Sequence, residues 1–235
     1  MPQLTALSLL RFAPFPFKHL AGVVFAPLLD RFLYRHPFEG GSARRYATEE
    51  RPAFGDLDDR LLDGIDLASA RRLLDLGCGP ATFSERAAAR HPGLTVIAVD
   101  PSRAFVRDLI ARRPKLSVVQ AAGEALPFAD RSIDAAMMLS SIRHVKDRAA
   151  TFRELRRVVH GTVTIVELDP DADARRVATH ANRLGSRLLR HAFGPFVLRT
   201  APHADAIASI ARRAGFVQRS LRSDPIQPVY IMELA

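Results

Sequence analysis

The 235-residue chain is long enough for one α/β domain with an N-terminal extension, and a chain of this size can bury most of its apolar surface in one core. Its formal charge of +9 comes almost entirely from arginine, because only three lysines are present. This excess indicates either solvated helix faces or an anionic partner such as a membrane surface. The single cysteine, Cys78, excludes an internal disulfide and a cysteine-based zinc site, and it is typical of a protein of the reducing cytoplasm.

Residues 1–42 are predicted to form an apolar arm or lid that precedes the core domain at 43–235. Phenylalanine and proline recur over residues 1–38, and proline interrupts apolar runs such as Leu20 to Leu29 well before the ~20 residues that a membrane span needs. No clear pattern of a secretory signal is present either. We therefore expect a helical or irregular segment that covers a substrate pocket, packs on the core or on a second subunit, or contacts a membrane peripherally.

The arm is predicted to end in a flexible break at Glu39 to Ser42, and residues 43–65 carry the spacing of a helix that leads into the core. From Arg71 onward, short apolar runs alternate with helical patterns. The predicted strands are Leu73–Leu76, Leu94–Val99, Leu116–Ala121, Ile133–Leu139, Thr162–Leu168, Phe216–Leu221 and Val229–Leu234. The predicted helices cover 82–90, 102–113, 147–158, 171–193 and 202–214, with Ser102 and Asp147 as N-caps, Gly215 as C-cap and Gly194-Pro195 as a break. Near-continuous apolar strands between helices predict a parallel sheet that is covered on both faces.

The first predicted strand runs into a glycine-containing turn. Its apolar run stops at Asp75 and is followed by Gly77, Cys78 and Gly79, and glycines at the carboxyl end of a parallel strand let a ligand approach the backbone closely. A dinucleotide-binding loop would place a third glycine at the position of Thr82, so the G-x-G-x-x-G pattern is absent. The turn therefore predicts a binding loop of another kind.

Two further segments stand at compatible distances along the chain. Asp100 ends the second predicted strand 25 residues after Asp75, a normal length for one strand-helix-strand unit. Gly123 to Phe128, followed by Asp130 to Asp134, comes after the third predicted strand. Together these motifs resemble the class I S-adenosylmethionine-dependent methyltransferases, in particular the quinone-type and general small-molecule (type 11) domain, over roughly residues 70–170.

This resemblance implies a Rossmann-like, mostly parallel seven-stranded sheet with an antiparallel C-terminal end, and S-adenosylmethionine as cofactor. Asp75 is then expected to face the methionine amino group, and Asp100 to accept hydrogen bonds from both ribose hydroxyls. The chain departs from the family pattern at Ala81, which replaces the third glycine of the loop, and at Ala122, where many relatives have an aspartate for the adenine amino group. The residues assigned to the cofactor are Asp75, Gly77, Cys78, Gly79, Asp100, Pro101, Ser102, Ala122, Gly123, Glu124 and Ser140.

His144, just beyond the fourth predicted strand, is the predicted general base, because an imidazole can accept a proton near neutral pH. A histidine at this place can also contact the cofactor or pack within the loop. Weaker candidates for the same role are Glu167, His191 and His203. The resemblance also brings Tyr46 and Arg45 toward the methionine end of the cofactor, although both could be ordinary surface residues. No spacing of histidine, cysteine and carboxylates predicts a metal site.

The methyl acceptor is predicted to be a small apolar or amphipathic molecule, such as a quinone-like compound, a lipid or a natural-product intermediate. Enzymes that methylate the exocyclic amine of a nucleic-acid base usually carry Asn/Asp-Pro-Pro-Tyr after strand four, where this chain has Leu139 to Ile142, so nucleic acid is disfavoured despite the basic charge. Two alternatives remain: a catalytically silent cofactor-binding partner subunit, motivated by Ala122, and a NAD-dependent oxidoreductase, disfavoured by Thr82. Oligomerisation and peripheral membrane contact stay open.

Overall fold

The computed structural model describes residues 38–113 and 116–235, so residues 1–37 of the predicted arm over 1–42 lie outside the described chain. A seven-stranded sheet with the order β3-β2-β1-β4-β5-β7-β6 forms its centre. The strands are β1 Arg72–Leu76, β2 Thr95–Asp100, β3 Ser117–Gln120, β4 Ile133–Leu139, β5 Val159–Leu168, β6 Gln218–Ser223 and β7 Val229–Leu234. β1 to β5 pair in parallel, whereas β7 is antiparallel to both β5 and β6. The predicted Rossmann-like sheet with an antiparallel end is thus confirmed.

Helices connect the strands and precede them. They are α1 Gly40–Arg45, α2 Leu57–Gly64, α3 Thr82–Arg90, α4 Arg103–Arg112, α5 Arg148–Val158, α6 Ala174–Arg183, α7 Arg187–Ala192 and α8 Ala204–Arg213. Shorter helical turns lie at Tyr46–Glu50, Arg51–Phe54, Ile142–His144 and Phe193–Leu198. Both predicted N-caps are confirmed: Ser102 Oγ accepts from Phe105 N at 3.2 Å, and Asp147 Oδ1 accepts from Ala150 N at 2.9 Å. Gly215, the predicted C-cap, follows the C-cap residue Ala214 and has a φ of 91°.

The side chains of the central strands alternate between two apolar cores, one on each face of the sheet. On β1, Leu73 enters the first core and Leu74 the second, and on β4 Met137 and Met138 divide in the same way. Helices α2 and α3 cover the first core, and α5 and α8 cover the second. Burial on both faces explains why these strands are apolar throughout rather than alternating with polar residues.

The predicted flexible break at Glu39 to Ser42 is wrong, because these residues begin helix α1. Ser42 Oγ accepts a hydrogen bond from Glu39 N at 3.0 Å, which satisfies a backbone donor at the start of the helix. The proposed domain boundary at 42/43 thus falls inside a helix. The predicted continuous helix over 43–65 is interrupted by the turns at Tyr46–Glu50 and Arg51–Phe54.

The predicted helix over 171–193 is also divided, and its break lies earlier than the Gly194-Pro195 pair. α6 ends at Arg183 and α7 begins at Arg187, because Gly185 N donates to Glu49 O at 3.1 Å. The chain remains helical through Gly194-Pro195 in the turn Phe193–Leu198. A contact between two residues that are 136 positions apart in sequence therefore accompanies the end of this helix. β6 starts two residues later than predicted, since Phe216 is buried against Phe152 with ring centroids 6.0 Å apart.

No helix in the described part of the chain combines the length and the apolar character that crossing a membrane requires.

Candidate functional site

The turn between β1 and α3 folds over the carboxyl ends of β1 and β2. Gly77 N and Cys78 N both donate to Val99 O, at 2.7 and 3.0 Å. Gly77 and Gly79 have φ angles of 78° and 52°, in the left-handed region that favours glycine. Ala81 has φ 59° although it carries a Cβ, so the loop keeps its left-handed geometry where the third glycine is replaced.

A methyl group at Gly77 would be incompatible with this turn, and we expect Gly77→Ala to lower the free energy of unfolding by about 2–4 kcal/mol. The added Cβ would overlap Ser141 Cβ and lie 2.9 Å from Ser141 Oγ, at a backbone angle that alanine adopts only with strain. Urea denaturation of both proteins measures this difference.

Gly93→Ala is the matched control, because no atom lies within 4 Å of the Cβ that it would add. The double variant Gly77→Ala/Ser141→Gly removes the overlap and keeps the backbone strain, so it should recover part of the loss. Equal stability of Gly77→Ala and Gly93→Ala would mean that the turn does not depend on glycine.

Asp75 lies at the end of β1, beneath this turn. Its side chain is buried, and its Oδ2 accepts from Ser84 Oγ in the first turn of α3 at 2.6 Å. Burial raises the pKa of the carboxyl to about 7, while the Ser84 hydroxyl and the charge of Arg51 act to lower it. A buried carboxylate with this pKa would be favoured in its charged form by a cationic group placed beside it.

Asp100, at the tip of β2, joins the glycine turn to helix α4. Its Oδ2 accepts from Gly79 N and its Oδ1 from Ser102 N, both at 2.8 Å. Burial raises the pKa of the carboxyl to about 6, although both backbone donors act to lower it. Pro101 O accepts from Gln120 Nε2 at 3.4 Å, which links this corner to β3. The structure thus places Asp75 and Asp100 at neighbouring strand ends around one turn, as predicted.

Three aromatic rings and an imidazole gather above the glycine turn; we name Phe38, Tyr46, Phe105 and His144 the aromatic cover. Phe38 lies 4.8 Å from both Tyr46 and His144 between ring centroids, and Phe105 lies 6.3 Å from Phe38 and from Tyr46. A Cβ on Gly79 would lie only 3.5 Å from Tyr46 Cε1. The cover therefore lies directly against the turn and brings the predicted base toward it.

Burial raises the pKa of the Tyr46 hydroxyl to about 12, so this group stays protonated at neutral pH. The charges of Asp100 and Glu167 act in the same direction, which locates the ring between the tips of β2 and β5. Glu39 adjoins the same corner, because its Oε1 accepts from Arg103 N at 2.9 Å and its charge helps to raise the pKa of Asp100.

The basic residue near Tyr46 is Arg51 rather than Arg45. Arg45 is exposed and lies 3.5 Å from Glu50, whereas Arg51 is buried and pairs with Asp58 at 2.5 Å. The charge of Arg51 lowers the pKa values of both Tyr46 and Asp75, so the guanidinium lies close to both. Sequence reasoning missed Arg51, because its partner is seven residues away across a turn and a helix start.

The segment after β3 lies beside the end of β1. Gly123 is buried, and a Cβ added there would lie 3.5 Å from Leu76 Cδ2, which locates the segment beside the end of β1. Ala122 is exposed. Glu124 Oε1 accepts from Asp147 N at 2.8 Å, so this carboxylate is already engaged at the start of α5. Ala122, Gly123 and the second carboxylate oxygen of Glu124 are the groups of this segment that a ligand could meet.

Ser140 and Glu167 lie at the tips of β4 and β5. Ser140 has a φ of 50° and donates its N–H to Val166 O at 2.7 Å. Glu167 is fully buried, and its two carboxylate oxygens accept from Leu168 N at 2.8 Å and Arg143 N at 3.3 Å. Burial raises the pKa of Glu167, and the charge of Arg143 opposes this shift.

Arg143 was not anticipated from the sequence, yet it ties the turn that carries His144 to a distant segment. Its guanidinium is buried and donates to Val197 O at 3.1 Å and to Thr200 Oγ1 at 2.9 Å. The segment 193–200 therefore borders the tip of β4. His191 and His203 are exposed and lie against Arg187 O and Asp171, so the structure does not bring them to the turn.

No group of three potential metal ligands occurs within residues 38–113 and 116–235.

A cavity of about 170 Å³ lies apart from the candidate site, at the opposite ends of the strands. It is lined by Ile65, Phe83, Thr162 and Glu233, among others, and by none of the predicted site residues.

Known proteins match this chain in sequence. A family model described as a methyltransferase domain matches residues 74–167. A demethylmenaquinone methyltransferase of Roseiflexus castenholzii is 32% identical over 63% of this chain and 68% of that protein. A malonyl-[acyl-carrier protein] O-methyltransferase of Legionella pneumophila is 34% identical over 43% of this chain and 37% of that protein. In three of the curated relatives that it matches, this chain spans only 37% to 58% of the relative's own length.

A solved structure has the same fold. The S-adenosylmethionine-dependent methyltransferase of Aquifex aeolicus superposes with a TM-score of 0.61 over 82% of this chain and 94% of that chain, at 14% sequence identity.

Proposed function

Because the chain belongs to the class I S-adenosylmethionine-dependent methyltransferases, we propose that it methylates a small apolar or amphipathic acceptor, with quinone-like compounds the first class to test. Its methyl donor is S-adenosylmethionine. The observation that carries the choice of acceptor is the aromatic cover, which provides apolar surface immediately above the glycine turn. The demethylmenaquinone methyltransferase relatives support the same class.

The residues around the turn fit the donor. Each oxygen of Asp100 accepts one backbone N–H, and a carboxylate has capacity for about four hydrogen bonds, so the ribose hydroxyls can still be accepted. Asp75 is suited to the amino group of the methionine moiety, and Arg51 to its carboxylate. Gly77 and Gly79 leave the backbone open to the ligand.

When bound, the cofactor supplies a methyl group on a positively charged sulfur, which is already an activated leaving group. The chain therefore needs mainly to align the acceptor and to exclude water, and alignment alone can lower the barrier by several kcal/mol. The aromatic cover is placed to exclude water. His144, within this cover, is the group that could remove a proton from the acceptor.

Calorimetry tests the proposed ligand site directly. We expect S-adenosylhomocysteine to bind and NAD to give no heat of binding, since the third glycine of the dinucleotide fingerprint is replaced by Thr82. Methyl transfer from labelled S-adenosylmethionine to demethylmenaquinone then tests the acceptor class. Binding of NAD alone would overturn the assignment, and binding of S-adenosylhomocysteine without turnover on any quinone would overturn the acceptor class.

The matched relatives support neither a catalytically silent partner subunit nor a NAD-dependent oxidoreductase. The Legionella relative suggests a second candidate acceptor, a carboxyl group carried by an acyl-carrier protein. The quinone-like acceptor is preferred because of the apolar character of the aromatic cover.

A further inference from the structure

The part of the chain from the start of α6 to the start of α8 has a one-sided charge. From Ala174 to Ala204 it contains six arginines and three histidines and no aspartate or glutamate. Within the described residues only Arg176 of these arginines forms an ion pair, with Asp173 at 2.7 Å. Asp171 and Asp173, just before this stretch, pair with His203 and Arg176, and the remaining arginines leave an excess of positive charge on this part of the surface.

Helix α7, in the middle of this stretch, is both basic and apolar on its outer side. Leu189 packs against the first core, whereas Arg187, Leu188, Arg190 and His191 face outward; we name these four residues the α7 surface. Leu188 is 75% exposed, the largest exposure among the large apolar side chains of the described chain. Helices that lie at a membrane interface combine basic residues with exposed leucine or aromatic side chains, and α7 presents both arginine and leucine.

The α7 surface is linked through the chain to the proposed acceptor side of the site. α7 leads directly into the turn Phe193–Leu198, and Arg143 holds Val197 O and Thr200 beside the turn that carries His144. The segment that follows α7 in the chain therefore borders the turn that carries His144.

We propose that the α7 surface docks on an anionic lipid bilayer, from which an apolar acceptor enters the site. Each arginine near an anionic membrane adds to binding, and Leu188 can enter the hydrocarbon boundary. A nucleic-acid partner fits less well, because the exposed rings of α7 are limited to the imidazole of His191 and include no phenylalanine, tyrosine or tryptophan on which a base could stack. The purpose of this docking rests on the proposed acceptor class, but binding to the bilayer can be measured without any acceptor.

Co-sedimentation of the full chain with vesicles tests the proposal. We expect partition into vesicles of equal parts phosphatidylcholine and phosphatidylglycerol, little partition into pure phosphatidylcholine, and release at high salt. Failure to bind the anionic vesicles, or equal binding to both compositions, would overturn it. An acidic protein or nucleic acid would then be the partner to examine.

Two substitutions locate the contact. Arg187→Glu should weaken partition by at least about fivefold and Leu188→Asp by about tenfold, whereas the controls Arg219→Glu and Leu221→Asp, on the exposed strand β6, should leave it unchanged. Affinity for S-adenosylhomocysteine should be the same in all four variants, which separates this proposal from the proposed function. Equal losses in the controls, or no loss in the α7 variants, would show that the α7 surface is not the contact.

Discussion

Asp100→Ala is expected to weaken S-adenosylhomocysteine binding by about 10²–10⁴-fold. Asp100 is the group suited to both ribose hydroxyls, and a hydrogen bond to a charged acceptor contributes about 1.5–3 kcal/mol. The substitution also removes the acceptor for Gly79 N and Ser102 N, so that the glycine turn loses its link to α4. Titration calorimetry measures the affinity, and thermal melting shows whether the variant remains folded.

Two further variants separate charge from folding. Asp100→Asn keeps one oxygen acceptor without the charge and should lie between the parent and the alanine variant. Asp108→Ala, which removes a partly exposed acid of α4 paired with Arg112, should bind normally. A folded Asp100→Ala protein with parental affinity would exclude Asp100 from the ribose site.

The affinity for S-adenosylhomocysteine should also depend on pH. Burial raises the pKa values of Asp100 and Asp75 to about 6 and about 7, so both carboxyls take up protons as the pH falls through this range. Because the ligand favours the charged forms, affinity should increase with pH through about 6 to 7 and level off above, with protons released on binding. In Asp100→Asn only the part that belongs to Asp75 should remain.

His144→Ala is expected to lower kcat by about 10²–10⁴-fold if proton removal from the acceptor limits the rate, with little change in affinity for S-adenosylhomocysteine. The imidazole lies 4.8 Å from the Phe38 ring, in the turn that follows β4. Demethylmenaquinone is the acceptor with which to measure the rate. The dependence of kcat on pH should flatten in the variant.

His203→Ala provides the comparison, because this histidine is exposed and pairs with Asp171 away from the glycine turn. It should retain the parental kcat. A His144→Ala enzyme that kept most of its kcat and the parental pH profile would mean that alignment of the acceptor alone is sufficient for methyl transfer. His144 would then be a packing residue of the aromatic cover.

The features that could be predicted from sequence are those with local causes. Apolar strands that end in Asp75 and Asp100, the positive-φ glycines between them, and the caps Ser102 and Asp147 all follow from short-range patterns. The parallel sheet then brings the two carboxylates to one edge, because carboxyl ends of neighbouring parallel strands meet there. The assignment of individual residues to the cofactor remains a prediction.

The features that could not be predicted depend on distant partners. Arg51 becomes part of the site because burial pairs it with Asp58, and Arg143 because it meets Val197 and Thr200 more than fifty positions later. The break between α6 and α7 likewise depends on a backbone contact with Glu49. Helical periodicity contains no information about such contacts, so it predicted one long helix over 171–193. The family resemblance, which led to Arg45, does not contain this information either.

The two edges of the sheet limit aggregation by strand addition. β3, at one edge, is only four residues long, and β6, at the other, carries Arg219 and Arg222. The register of β6 shifts between Gln218 and Ser220, so Arg219 is the extra residue of a β-bulge. Short edges, charges and bulges each obstruct the pairing of one molecule's strand with another's. Fibril-like growth by addition of strands to the native sheet is therefore disfavoured at both edges.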